Sequence, residues 1–174
     1  QILASIEENK KTAYDEMYIE SLYEGFQNHE VDDSELLCKL ADKWKGKTVL
    51  ILAPGASIAD QKDVIEQFIE DKKPIIISAN FIPELYRQDY VFCSNAMRYS
   101  AMEDNCELGK LLVTSNLTDV CGAKNILNYA DLCLDDKGKC DNCVIMLMKL
   151  LYKVGMERIY VAGFDGYQTR KCNY

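Results

Sequence analysis

The sequence predicts an α/β fold: a Rossmann-like three-layer sandwich with a mostly parallel sheet, preceded by a helical connector. Short apolar runs such as TVLILA, PIIIS and DYVFCS recur along the chain. Each is short and near-continuous, as expected of a strand buried on both faces. Amphipathic stretches at helical spacing lie between them, and that alternation implies crossover connections in a parallel sheet. With 174 residues, 48% of them hydrophobic, the chain can bury one sizeable core.

The elements follow in order. Residues 13 to 27 place Tyr14, Met17, Tyr18, Leu22 and Phe26 near helical spacing, giving an amphipathic helix with an aromatic face. NHEVDD interrupts it. Asp33 or Ser34 then caps a second helix, ELLCKLADKW, with Leu37, Leu40, Ala41 and Trp44 on one side and Gly46 at its end. Residues 1 to 45 read as the connector, docked on an α/β domain over 46 to 174. TVLILA is the first strand. A helix from Ile58 to Asp71 follows, with Val64, Ile65, Phe68 and Ile69 inward. PIIIS (74–78) is the second strand, and FIPELYRQ holds a short helix after Pro83. DYVFCS (89–94), KLLVTS (110–115) and ADLCLD (130–135) read as further strands. NCVIMLMKLLYKVG is a helix ending at Gly155, and RIYVAG (158–163) is the last strand.

Ligands of open parallel sheets sit beyond the carboxyl ends of the strands. Gly55, Ala56 and Ser57 follow the first strand, Asn80 the second, Asn95 the third and Asn116 the fourth. Asn142 opens the last helix, and Asp165 and Tyr167 follow the last strand. An asparagine amide carries a donor and an acceptor, which suits a base edge or a ribose hydroxyl. Gly55 allows close approach of backbone to a ligand, and the helix start at 57 to 60 is turned to a phosphate. No carboxylate pair or histidine dyad stands among them, so the set reads as a binding crevice. Each member also has a plain structural reading. Ser57-Ile-Ala-Asp60 resembles a capping box, Gly55 suits a turn, and the asparagines suit turns closed by side chain to backbone bonds. The GxGxxG fingerprint and the Walker lysine are absent from the sequence, which lowers the case for ordinary dinucleotide binding and ATP hydrolysis.

The formal net charge is −8. Nucleic-acid binders carry basic patches, and no Lys/Arg cluster stands out beyond Arg170-Lys171, so nucleic acid is not an expected partner. No apolar run approaches the roughly 20 residues that span a bilayer, and QILASIEENKKT lacks a secretion-signal core. A membrane is not expected either. The eight cysteines fall mostly in apolar stretches, Cys38 in a helix, Cys93 and Cys133 on strands, and point to a reducing cytoplasm rather than a disulfide scaffold. Cys140-Asp-Asn-Cys143 is the only CxxC, and the one histidine is His29. A structural zinc site needs a second ligand pair, so no metal is expected within this chain. Gln1 is not an initiator methionine, and a piece of a longer or processed protein is expected.

Taken together, the motifs resemble those of the bacterial CMP-sialic-acid sialyltransferases and of the 6-hydroxymethylpterin diphosphokinase-like proteins. The segment LILAPGASI (50–58) is similar to their glycine-rich first loop. Ser78-Ala79-Asn80-Phe81 and Val91-Phe92-Cys93-Ser94-Asn95 are similar to their second and third strand ends. Asn142-Cys143-Val144 stands where they open a helix, and GMERIYVAGFDGY (155–167) resembles their last strand. The resemblance covers about residues 47 to 167 and implies nucleotide binding, with Asn80 and Asn95 facing the nucleotide. The family's general base, a histidine downstream of the last strand, has no counterpart in this sequence. A second resemblance concerns context. The connector with HEVDDSELLCKLADKWKGKTVLILAPG looks like the C-terminal region of bacterial proteins described as 4-hydroxy-2-oxovalerate aldolases or aldolase-catalytic-domain proteins. It implies a metal-dependent aldolase barrel, a lyase, in the same longer protein. Any divalent metal and the aldol chemistry then lie outside this chain. The leading expectation is a domain that binds a nucleotide or a phosphorylated small molecule. The alternatives are a glycosyl or diphosphoryl transferase and a non-catalytic interaction domain. The aromatic face of residues 14 to 26 reads first as a packing surface, either in cis against the domain or across a homo-oligomer.

Overall fold

In a computed structural model, the structure describes residues 17, 21, 24, 25, 31–102, 106–117, 125–135, 138–139 and 141–166. Tyr14, Tyr18, Leu22 and Phe26 of the expected first helix lie outside them, as do His29, Cys140 and Tyr167.

Strand β1, Val49–Leu52, is buried at every position. So are β2, Ile75–Ala79, β3, Tyr90–Cys93, and β4, Leu111–Thr114. β5 is Asn125–Leu127 and β8 is Ile159–Ala162. These six form one parallel sheet in the order β5-β4-β3-β2-β1-β8. A separate antiparallel pair joins β6, Leu134–Asp135, to β7, Gly138–Lys139. This is the expected α/β sandwich.

Alternation along each strand sorts the layers, because successive side chains point to opposite faces. One face carries Val49, Ile51, Ile75, Ile77 and Phe92. It is covered by α1, Ser34–Trp44, by α5, Tyr129–Cys133, and by α6, Cys143–Lys153. The other face carries Leu50, Leu52, Ile76, Val91 and Val113. Ile65 of α3, Lys62–Lys72, covers its β1–β2 half. Tyr99 and Met102 of α4, Ala96–Met102, cover its β3–β4 half. Val144, Met146, Leu147, Leu150 and Leu151 make α6 the largest contributor of helical core. Burying one such side chain is worth about 1.5–3 kcal/mol. Helix α1, the second helix of the expected connector, belongs to this core. Trp44 is fully buried and meets Tyr90 edge-on, with ring centroids 5.2 Å apart.

Four details differ from the sequence expectations. The helix expected over 58 to 71 is two helices, α2, Ser57–Asp60, and α3. Gln61 breaks them, with φ −107 and ψ 21. Val64 is 70% exposed rather than inward, because the break turns the buried stripe onto Ile65, Phe68 and Ile69. No helix follows Pro83; residues 81 to 89 run as bends, tied down where Asp89 Oδ2 accepts from the Ile76 amide at 2.9 Å. The segment 130 to 135 is not a strand of the six-stranded sheet: most of it is helix α5, where Cys133 sits, and only Leu134–Asp135 is strand, paired with β7. The sheet position beside β4 goes to Asn125–Leu127. Ala130, Leu132 and Cys133 are all buried, and a short apolar run of that kind fits helix and strand alike.

No helix among the described residues is long and apolar enough to cross a membrane.

Candidate functional site

The chain leaves β1 toward β2 and later returns on its other side as β8. The helices of these two passages lie on opposite faces of the sheet. A crevice at the carboxyl ends is the geometric result. Here it is a cleft of about 800 Å³, within the usual range for small-molecule sites. The loops after β1, β2 and β8 and the starts of α4 and α6 border it.

The first loop is shaped by the protein itself. The Gly55 amide donates to the Gly163 carbonyl at 2.8 Å. A Cβ on Gly55 would strike that carbonyl and approach the Asp165 carboxyl carbon to 2.7 Å. Gly163, at φ 76, has a left-handed backbone, and a Cβ there would strike the Ala53 carbonyl and come 2.7 Å from Ile58 Cγ1. The two glycines let two loops touch, which is reason enough for both.

Ser57 does not form the expected capping box. The N-cap of α2 is Ala56, with no side-chain cap bond, and Ser57 is the first helical residue. The Ser57 amide donates to Asp165 Oδ2 at 2.8 Å, and its hydroxyl donates to Asp165 Oδ1. A carboxylate from the distant β8 loop offers a charge-assisted acceptor, stronger than a neutral local one. The other amides here are also engaged. Ile58 donates to the Gly55 carbonyl at 3.3 Å and Ala59 to that of Ala56 at 3.1 Å. The place an anion would take at this helix start holds the chain's own carboxylate.

The asparagines divide. Asn80, Asn95 and Asn142 border the cleft together with Gly55 and Asp165. Ala56, Ser57 and Asn116 do not. Asn80 has a left-handed backbone, φ 62, which asparagine tolerates better than most residues. Its Oδ1 accepts from the Ser94 amide at 3.0 Å. Asn95 Oδ1 accepts from Arg98 at 3.1 Å, closing the first turn of α4. Asn142 caps α6, its Oδ1 accepting from Val144 and Ile145 at 3.1 and 3.2 Å. Asn116 ties strand ends: its Nδ2 donates to the Ser94 carbonyl at 3.1 Å, and its Oδ1 accepts from Thr114 at 2.5 Å.

Sequence reasoning did not reach Met97, Arg98 and Ala101 of the rim, and it met Phe164 after the last strand without choosing it. Met97 and Arg98 stand on α4, and Phe164 follows β8. Met97 is 84% and Phe164 47% exposed. Carrying the search of strand ends one helical turn further would have reached Met97 and Arg98.

Cys143 also borders the cleft. It keeps some exposed surface, yet the protein around it pushes its thiol up to about 12, against the opposing pull of its bond to Ser94. Burial likewise pushes Cys93 up to about 11. Such thiols are protonated at neutral pH and are poor nucleophiles and metal ligands. Among the described residues, no group of three or more His, Cys, Asp or Glu could hold a metal ion.

No protein-family model matches the chain, and neither the curated proteins nor the solved structures give a match.

Proposed function

We propose that this chain is a domain that binds a nucleotide or a phosphorylated small molecule, carried beside an aldolase-like barrel in a longer protein. The observation that carries the reading is the cleft of about 800 Å³, bordered by Asn80, Asn95, Asn142 and Arg98. Its place at the carboxyl ends of a parallel sheet is where such folds take their ligands. The barrel rests on the resemblance of the helical connector and residues 29 to 55 alone.

A thermal-shift titration tests the binding reading, with CMP, a CMP-sugar, a UDP-sugar, GTP and sugar phosphates. A ligand at a hundredfold its Kd adds about 2.7 kcal/mol, or roughly 5–10 °C for a chain of this size. Ala101 is exposed on α4 and borders the cleft, so Ala101→Trp blocks the cleft without touching the core. A saturable shift in the unaltered chain, absent in Ala101→Trp, supports the reading. A flat response to every panel member at millimolar concentration sinks it.

A second reading is an interaction domain whose asparagines only build turns. One observation favours it: the Oδ1 atoms of Asn80, Asn95 and Asn142 are all spent on the chain's own amides.

A further inference from the structure

Within an asparagine amide only the oxygen accepts, so the backbone N–H bonds made at this end fix which way each cleft amide faces. For Asn80, Asn95 and Asn142 the oxygen is turned to the protein. The Nδ2 groups of these three meet no acceptor among the described residues. Asn116, which does not border the cleft, spends its Nδ2 on the Ser94 carbonyl. The cleft asparagines therefore keep their Nδ2 donors to offer, while each Oδ1 is already engaged and that of Asn142 accepts twice. Met97 and Phe164 add exposed apolar surface on the rim, and thioether and aromatic faces suit a flat ring. The helix start that would take a phosphate is held by Asp165 instead.

We infer that the cleft recognises the base of a nucleotide rather than its phosphate, by amide donation from Asn80 and Asn142 to the acceptor edge of a heterocycle held between Met97 and Phe164. This deepens the nucleotide reading and rests on it. A cytosine O2/N3 edge or a guanine N7/O6 edge presents the required acceptors. Ring stacking with an aromatic side chain supplies affinity that tolerates differences between bases.

The test uses isothermal titration with CMP, UMP, AMP and GMP, the four corresponding nucleosides, and ribose 5-phosphate. Asn80→Asp keeps an oxygen for the Ser94 amide and replaces the donor with an acceptor. Asn142→Ser keeps the helix cap and removes the amide without adding charge. The nucleoside of the best nucleotide is expected to bind within tenfold of that nucleotide, and ribose 5-phosphate at least a hundredfold more weakly. Both variants are expected to weaken the nucleoside at least tenfold with their melting transitions intact. Nucleoside affinity within twofold of the unaltered chain in both variants overturns the inference while nucleotide binding stands. So does ribose 5-phosphate binding as tightly as the nucleotide. If no nucleotide binds the unaltered chain at millimolar concentration, the nucleotide reading fails and this inference fails with it.

Discussion

The carboxylate of Asp165 accepts from both the amide and the hydroxyl of Ser57, across 108 residues of sequence. The bond pair locks the loop after β8 onto the start of α2. It also does locally what a bound anion does at a helix N-terminus.

Removing either partner loosens this lock. Hydrogen bonds to a charged group contribute about 1.5–3 kcal/mol, so Asp165→Ala is expected to lower the unfolding free energy by about that much. Ser57→Ala removes only the hydroxyl and is expected to cost about 1 kcal/mol. The two changes share a contact, so their effects should not add. Urea unfolding of the two single variants and the double variant measures the coupling. Additive losses would mean that Ser57 and Asp165 act separately.

The paired glycines set a stricter demand. Gly55→Ala forces a Cβ against the Gly163 carbonyl, and overpacking of this kind costs about 1–3 kcal/mol. Gly163→Ala adds a left-handed backbone at φ 76 to a similar clash and should cost more. Gly46, at φ 72 with open space around it, is the control, where alanine bears only the backbone term of about 1–2 kcal/mol. Thermal melts should order the variants Gly46→Ala, Gly55→Ala, Gly163→Ala from mildest to most severe. Equal melting temperatures for the first two would remove the steric account.

Ser78 points the other way. Its hydroxyl is fully buried in β2 and has no hydrogen-bond partner among the described residues. An unsatisfied buried hydroxyl costs about 1–3 kcal/mol. Ser78→Ala removes that cost and only one atom of packing, so a gain of about 1 kcal/mol is expected in denaturant unfolding. A loss of stability would reveal a partner for the hydroxyl.

Alkali should unfold the domain through its thiols. Burial pushes Cys93 up to about 11, whereas an unfolded thiol ionises near 8.5. The folded chain holds the proton longer, so this contribution is complete below about pH 8.5 and is lost as pH rises toward 11. The slope is up to about 1.4 kcal/mol per pH unit for each such thiol. Cys93→Ala removes one of them. Unfolding measured at pH 8 and pH 10 should show a smaller alkaline loss in the variant than in the unaltered chain. Identical losses would mean that Cys93 does not titrate with unfolding.

How much of this was legible follows from the range of each interaction. The apolar runs at 49 to 52, 75 to 79 and 90 to 93 need no partner to be recognised, since burial on both faces writes itself into consecutive residues. Helix α6 shows its period in the same way. The segment 130 to 135 misleads because five residues of helix and a short strand carry the same apolar density. Asn125–Leu127 is three residues long, too short for any period. At the site, the strand-end rule placed Asn80, Asn95 and Asn142 beside one cleft. The rule cannot see Asp165 on Ser57, because a capping box is a local pattern and its competitor comes from the far end of the chain. Nor does a glycine announce whether it makes room for a ligand or for another loop.

Strand β8 is the neighbour of β1 in the sheet and its partner through both loop contacts, yet it emerges about a hundred residues later. At ribosomal speeds of about 5–20 residues per second, β1 waits on the order of ten seconds for that edge to be covered. Until then its hydrogen-bonding groups stand open beside Leu50 and Leu52, a template for unwanted pairing. A chain cut short before Ile159 would keep that edge open permanently. The order of synthesis thus makes the last strand, which also shapes the cleft, the gatekeeper of the domain's solubility during its own production.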